Sequence, residues 1–295
     1  MRRLVPALAL MLASCAGGGV TPPEGSSAPP SAGSACAGLG EPVVVGSVAE
    51  PALAEISGLV ASRRHPGILW VHNDSDAGAR LWAITISGET AATLDLVGAE
   101  AFDWEAASLG PGPGGDHLYV ADTGDNLENR PYAVLYRVPE PAEVTGSLRA
   151  AAQSVRVTYP DGPQNVEAMF VDPATGDAYL ISKEVLAAAA VYRIPASAWE
   201  LGEAVAQPAG SLDSGLIPVT AADLSADGSV LAVRTYWSVL LFARPPGAAL
   251  TAAWAAPPCQ APAPPEEQGE AMAWYGGGYL TIGEDSAAPV YRVSR

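Results

Sequence analysis

The sequence predicts an all-β fold, a five-bladed β-propeller of four-stranded antiparallel blades closed by an N-terminal strand in the last blade. Three observations predict it. One unit of short strands recurs five times, at intervals of about 50–60 residues. The 295 residues include 31 Gly and 27 Pro, which favours many turns over long helices. Finally, a strand candidate at Val43–Val48 precedes the first unit, and the fifth unit lacks a last strand.

The chain opens with an address. Arg2 and Arg3 form a short basic stretch and Leu4–Ala13 an apolar one, too short to span a bilayer and laid out as an export signal over residues 1–14. It ends Leu12-Ala13-Ser14-Cys15, which resembles the bacterial lipobox. That resemblance implies cleavage before Cys15 and lipidation of its thiol; the alternative is an ordinary secretory signal that contains a cysteine. Residues 15–41 are mostly Gly, Ala, Pro, Ser and Thr and read as a flexible tether, which leaves 42–295 as the folded domain. Cys36 and Cys259 then remain. Two thiols in an exported chain suggest a disulfide, against the alternative of two unpaired thiols.

The five units follow in order. The first runs Glu55-Ile-Ser-Gly-Leu, Ile68-Leu-Trp-Val-His-Asn-Asp, Arg80-Leu-Trp-Ala-Ile. The second has Trp104-Glu-Ala-Ala-Ser-Leu, His117-Leu-Tyr-Val-Ala-Asp and Val134-Leu-Tyr-Arg-Val; the third, Val166-Glu-Ala-Met-Phe-Val, Ala178-Tyr-Leu-Ile-Ser and Val191-Tyr-Arg-Ile. The fourth has Ala222-Asp-Leu-Ser, Val230-Leu-Ala-Val-Arg and Val239-Leu-Leu-Phe; the fifth, Gly269-Glu-Ala-Met-Ala, Tyr279-Leu-Thr-Ile and Val290-Tyr-Arg-Val. Fourth strands are expected at Thr93–Val97, Ser154–Tyr159, Gly210–Asp213 and Leu250–Trp254, with Val43–Val48 completing blade five. Four short strands per repeat in a radial array is propeller architecture. A β-sandwich would have no reason to show five equal units. Over residues 42–295 the repeats resemble bacterial propeller lipoproteins and TolB-like or phytase-like propellers, through turns such as Leu224-Ser-Ala-Asp-Gly-Ser and Val171-Asp-Pro-Ala-Thr-Gly-Asp.

Strands alternate up and down, so the entry to strand one and the loop joining strands two and three share a face. The entries carry Glu55, Asp103-Trp104-Glu105, Glu167, Asp223 and Glu270. The loops carry Asn73, Asp74, Asp122, Asn126, Lys183, Glu184, Arg234, Tyr236, Glu284 and Asp285. Crowded acids are unfavourable unless protons or a cation neutralise them, and a hard cation with oxygen ligands, Ca²⁺, suits such a set. The arrangement is similar to calcium-dependent apyrase-type five-bladed nucleotidases. That resemblance implies axial ligands at the start of each inner strand, here Ser57, Glu105, Glu167, Glu270 and, with a slipped register, Asp223. Two readings of the acids stand: a metal site, or acceptors for neighbouring backbone N–H groups that close the ring. Asp122–Asn126 reads as a turn or as a fragment of a calcium loop. Lys183 and Arg234 either pair with nearby acids or hold a phosphoryl group beside a metal. Trp104 and Trp237 pack between blades or reach a ligand.

The net charge of −17 argues against nucleic acid as a partner. There is no G-x-S-x-G elbow, no H-E-x-x-H motif and no P-loop. His72 ends a second strand and reads as structural. Two functions remain. One is a lipid-anchored envelope module, monomeric, that binds a protein, a glycan or a phosphorylated small molecule through an acidic, calcium-holding mouth. The other is a metal-dependent phosphoester hydrolase.

Overall fold

The computed structural model describes residues 32–75 and 78–295. The export signal, Cys15 and most of the tether lie outside the described residues. The strands form five sheets. Blade one is Ile56–Ala61, Ile68–Asn73, Arg80–Thr85 and Thr90–Val97. Blade two is Trp104–Gly112, Gly115–Asp122, Ala133–Pro139 and Gln153–Thr158. Blade three is Val166–Val171, Ala178–Ser182, Ala189–Ile194 and Gln207–Leu212. Blade four is Val219–Leu224, Val230–Thr235, Val239–Ala243 and Cys259–Ala261. Blade five is Gly269–Tyr275, Gly278–Gly283 and Pro289–Val293, with Val43–Ser47 as its outer strand. That last strand pairs antiparallel with Pro289–Val293, Val43 opposite Arg292 and Ser47 opposite Pro289. The inner strands of successive blades pack on one another in a closed ring, blade five returning to blade one.

The core is five separate seams, one per blade interface. Leu118, Val120 and Trp104 pack with Trp70 between blades one and two. Tyr119 and Leu135 meet Met169 and Tyr192 between blades two and three, and Phe170 and Ile181 meet Leu231 and Phe242 between three and four. Met272 and Tyr279 meet Ala232 and Leu241 between four and five, and Leu280 and Ile282 meet Leu69 and Val71 between five and one. A strand flanked by two neighbouring sheets is apolar on both faces, which is why Val166–Val171 is buried throughout.

Three details depart from the sequence reading. Blades one and two each carry a fifth, parallel strand, Gly146–Ala151 and Glu203–Val205, sent back from the next blade's connection between its third and fourth strands. Leu250–Trp254 is not a strand. Leu250–Ala252 is a 3₁₀ turn whose Leu250, Ala253 and Trp254 are buried over the seam of blades three and four, where the Trp254 indole donates to the Ala209 carbonyl at 3.1 Å. The outer strand of blade four is Cys259–Ala261. The end of the stretch read as tether is folded: a helix at Ala32–Cys36 brings Ala35 into the core between blades four and five, and Cys36 is bonded to Cys259.

Candidate functional site

Each inner strand carries a β-bulge at its second residue. The register with the second strand shifts between Ile56 and Gly58, Trp104 and Ala106, Val166 and Ala168, Val219 and Ala221, and Gly269 and Ala271. The bulged residues are therefore Ser57, Glu105, Glu167, Thr220 and Glu270. A bulge re-aims a side chain, and here the same device recurs at the same depth in all five blades. Four of the five side chains line one cavity of about 150 Å³, together with Asp74, Asn126, Lys183, Tyr236, Gln268 and Glu284. Thr220 instead donates to the Gly269 carbonyl at 2.6 Å and ties blade four to blade five. Ser57 does likewise toward blade two, donating to the Glu105 carbonyl at 3.0 Å and its carboxylate at 3.2 Å. So two hydroxyls of the ring bond the next blade's backbone, and three carboxylates face the cavity.

Three carboxylates on the blade one–two side stand close enough to share an ion. Oxygens of Asp74, Asp103 and Glu105 lie within 4.8 Å of one another. Asp122 sets up this group. Its carboxylate accepts from the backbone N–H groups of Phe102 and Asp103, both at 3.2 Å, and from Arg130 at 2.8 Å. Gly124 also packs against the group: a β-carbon there would stand 2.4 Å from the Asp103 carboxyl and 2.5 Å from a Glu105 oxygen. Across the cavity, Lys183 Nζ pairs with Glu167 at 2.5 Å and lies 5.2 Å from the Tyr236 ring centre. Asn165 donates to Glu167 and to Asn126.

The acids hold protons more tightly than usual. Burial, then the hydrogen bond and repulsion from Asp103, push Asp74 up to about 7, and its buried Oδ1 has no protein partner. Burial, then Glu167, pushes Glu270 up to about 8. Glu105 is raised well above the carboxylate range by burial and then Glu167. Glu284 is also raised, burial first, and in Glu167 burial outweighs the pull of Lys183. Burial works against the Lys183 charge, but Glu167 outweighs it and keeps the ammonium protonated. The mouth is thus a proton-loaded acidic cup with one ammonium, and a hard cation can take the place of the protons.

Several residues expected here lie elsewhere. Asp223 is not part of the axial ring: it sits three residues beyond Thr220, half-buried near the opposite end of the axis, where its carboxylate accepts from the Trp274 and Leu224 backbone N–H groups at 2.8 and 2.9 Å. Arg234 is wholly buried between blades four and five, bonded to Glu266 at 2.7 Å and packed on Gly269. Trp104 is buried, donating to the Glu100 carbonyl at 2.9 Å, with His72 edge-on to its ring. Asn73 holds the entry of blade one, donating to the Ala52 carbonyl at 2.7 Å. Asp122 is a buried support of the acid group, as above. Glu184 accepts from Ser182 at 3.0 Å, and Asp285 lies beside Glu284 in an exposed loop; neither lines the cavity. His72 is fully buried and kept neutral, its affinity for a proton lowered to about 4 by burial. Asp103, Thr220 and Gln268 are the members of the region that reading for acids alone passed over or left without a role. A hollow of about 500 Å³ opens on the opposite face, lined by hairpin turns with Trp274 and Tyr275, and Asp227 is the one acid among the described residues lining it.

No family model matches this sequence, and no curated protein matches it. Among solved structures, the chain is similar to the PQQ-bound form of aldose sugar dehydrogenase from Streptomyces coelicolor. Identity is 12%, the match covers 90% of this chain and 99% of that one, and the TM-score is 0.51. Likeness at that identity speaks to the β-propeller fold and carries no chemistry across.

Proposed function

We propose that this chain is an exported, lipid-anchored β-propeller of the cell envelope that acts as a binding module, and that its axial mouth holds a divalent cation, Ca²⁺, on Asp74, Asp103 and Glu105. One observation carries the metal: three carboxylates with oxygens within 4.8 Å of one another, one of them, Asp74, with its Oδ1 buried without a protein partner. Oxygen-only ligands in an acid-rich setting suit Ca²⁺ better than a metal that prefers nitrogen or sulfur. The phosphoester-hydrolase alternative draws less support, because Arg234 is sealed between blades by Glu266 and Lys183 is held by Glu167.

The test is metal analysis and calorimetric Ca²⁺ titration of the full-length protein before and after chelation. About one Ca²⁺ per chain should bind, with protons released as it does, and Glu105→Gln or Asp74→Asn should abolish it. A protein that binds no stoichiometric metal overturns the reading. For the anchor, Cys15→Ser should move the protein from the membrane to the soluble fraction; continued membrane retention overturns that part.

A further inference from the structure

The mouth face carries an apolar collar. Phe102, Leu127, Val185, Leu186, Leu216 and Trp237 are all strongly exposed large apolar side chains, Leu127 at 80% and Leu186 at 77%. All six lie in entries to inner strands or in loops between second and third strands, the two loop classes of the mouth face, and they span blades two, three and four. Leu186 and Leu216 also hold the left-handed backbone that glycine would adopt at no steric penalty, with φ of 61° and 64°. Burial cannot explain these leucines, since both point to solvent. Inside the collar lies the acidic cup. Trp237 leads into it: its ring lies 5.9 Å from that of Tyr236, and Tyr236 lies beside Lys183 at the cavity wall. Glu270 and Glu284, contributed by blade five, line the same cavity and are not members of the Asp74–Asp103–Glu105 group.

We propose that this face docks a protein partner whose contact loop carries an arginine or lysine between apolar residues, the basic head entering beside Glu270 and Glu284 and the apolar flanks resting on Trp237 and Leu186. Charge complementarity selects the occupant. A basic head, like a metal cation, can take the place of the cup's protons, whereas an anionic lipid surface meets only Lys183, the one cation among the described residues lining the cup, already paired with Glu167. A second copy of this chain, itself at −17, is disfavoured for the same reason. Large apolar side chains exposed together on one face mark an interaction site. The inference goes beyond cation binding, because it rests on Glu270, Glu284 and the exposed apolar side chains, none of which belongs to the Asp74–Asp103–Glu105 group.

The test uses the full-length protein and defined peptides in calorimetry: a short amidated peptide with a central arginine flanked by leucine and tryptophan, its glutamate-centred counterpart, and an arginine peptide flanked by serine. The first should bind, weaken with added salt, and outbind the other two by about tenfold or more. Trp237→Ala and Glu270→Gln should each lower that affinity by about tenfold. Leu186→Gly should lower it too while keeping or raising the melting temperature, since it removes an apolar contact and a strained backbone together. The Ca²⁺ response of Trp237→Ala should persist, which separates failure of this proposal from failure of the cation site. No binding, equal binding of the glutamate or serine-flanked peptide, or insensitivity to Trp237→Ala overturns the proposal. So does a Trp237-dependent self-dimer, or Trp237-dependent adsorption to phosphatidylglycerol vesicles.

Discussion

Lys183 is the residue on which the unliganded mouth depends. It places one ammonium against Glu167 in a cup that four further carboxyls line, with Ser57, Asn126, Tyr236 and Gln268. Lys183→Met should destabilise the protein by about 3 kcal/mol near pH 8, as expected when one partner of a buried pair is removed. The loss should be smaller near pH 5, where Glu167 can take up a proton, and Glu167→Gln in the same chain should restore much of it. Thermal melts of the single and double variants decide this; an additive loss would mean that the pair does not couple. Gly124 makes a second residue-scale prediction. Its missing side chain leaves room for the Asp103 and Glu105 carboxyls, so Gly124→Ala should weaken Ca²⁺ binding by about tenfold or more without changing any charge, measured by calorimetry. At this scale the sequence was only partly legible. Glu105, Glu167 and Glu270 could be found because each opens an inner strand after one residue. Blade four breaks the acid pattern: its acid is Asp223, whereas its bulged residue is Thr220. The cue was the triplet Val219-Thr220-Ala221, which matches Ile56-Ser57-Gly58, Trp104-Glu105-Ala106 and Val166-Glu167-Ala168 in pattern: apolar, polar, small. Trp104 and Arg234 failed as site residues for another reason. Side chains at those positions turn sideways into the neighbouring seam, and a repeat pattern does not show sideways direction.

Among the elements, the strand at Val43–Ser47 decides how the ring closes. It is a fourth strand borrowed from the start of the chain, bonded along Pro289–Val293. Deleting residues 42–49 should uncover that edge and lower the melting temperature by several degrees, with aggregation on heating. An unchanged melting curve would show that the pairing contributes nothing to closure. The Cys36–Cys259 bond reinforces the join from the side, linking residues 223 apart in sequence. Loop entropy sets its ceiling at about 5 kcal/mol. The borrowed strand was readable because a unit missing one strand and a strand missing a unit have only each other. The fifth strands were not. Gly146–Ala151 and Glu203–Val205 are short and largely exposed, with no apolar run to announce them, and their pairing is parallel to a blade they do not belong to. Leu250–Trp254 follows the place of the fourth strand in the three earlier units, yet Leu250, Ala253 and Trp254 fall at helical spacing, and the 3₁₀ turn obeys the spacing rather than the repeat.

For the whole molecule, the acids make stability depend on pH, and the sign follows from where the protons sit. Asp74, Asp223 and Glu266 are each raised to about 7, and Glu270 to about 8, chiefly by burial. Between about pH 4 and pH 8 the folded chain therefore keeps protons that the unfolded chain has released, and stability falls as pH rises through that window. His72 and His117 act in the opposite sense below about pH 6.5, because burial lowers their proton affinity and the unfolded chain takes up protons that they refuse. The interval from about pH 7 to 8 is then governed by the acids. In chelator, the melting temperature should fall across it. Ca²⁺ replaces protons only in the mouth, so it should flatten the fall without abolishing it: Asp223 at the far end of the axis and Glu266 against Arg234 keep titrating. A hundredfold excess over the dissociation constant adds about 2.7 kcal/mol, or roughly 5–10 °C for a chain of this size, and the gain should be larger at pH 8 than at pH 6, where bound protons compete. Melting curves at both pH values, with chelator and with Ca²⁺, measure all of these terms together. A Ca²⁺ shift that is the same at pH 6 and pH 8 would place the ion away from the raised carboxyls. A melting temperature that rises from pH 7 to 8 in chelator would mean that the cup is not proton-loaded at all.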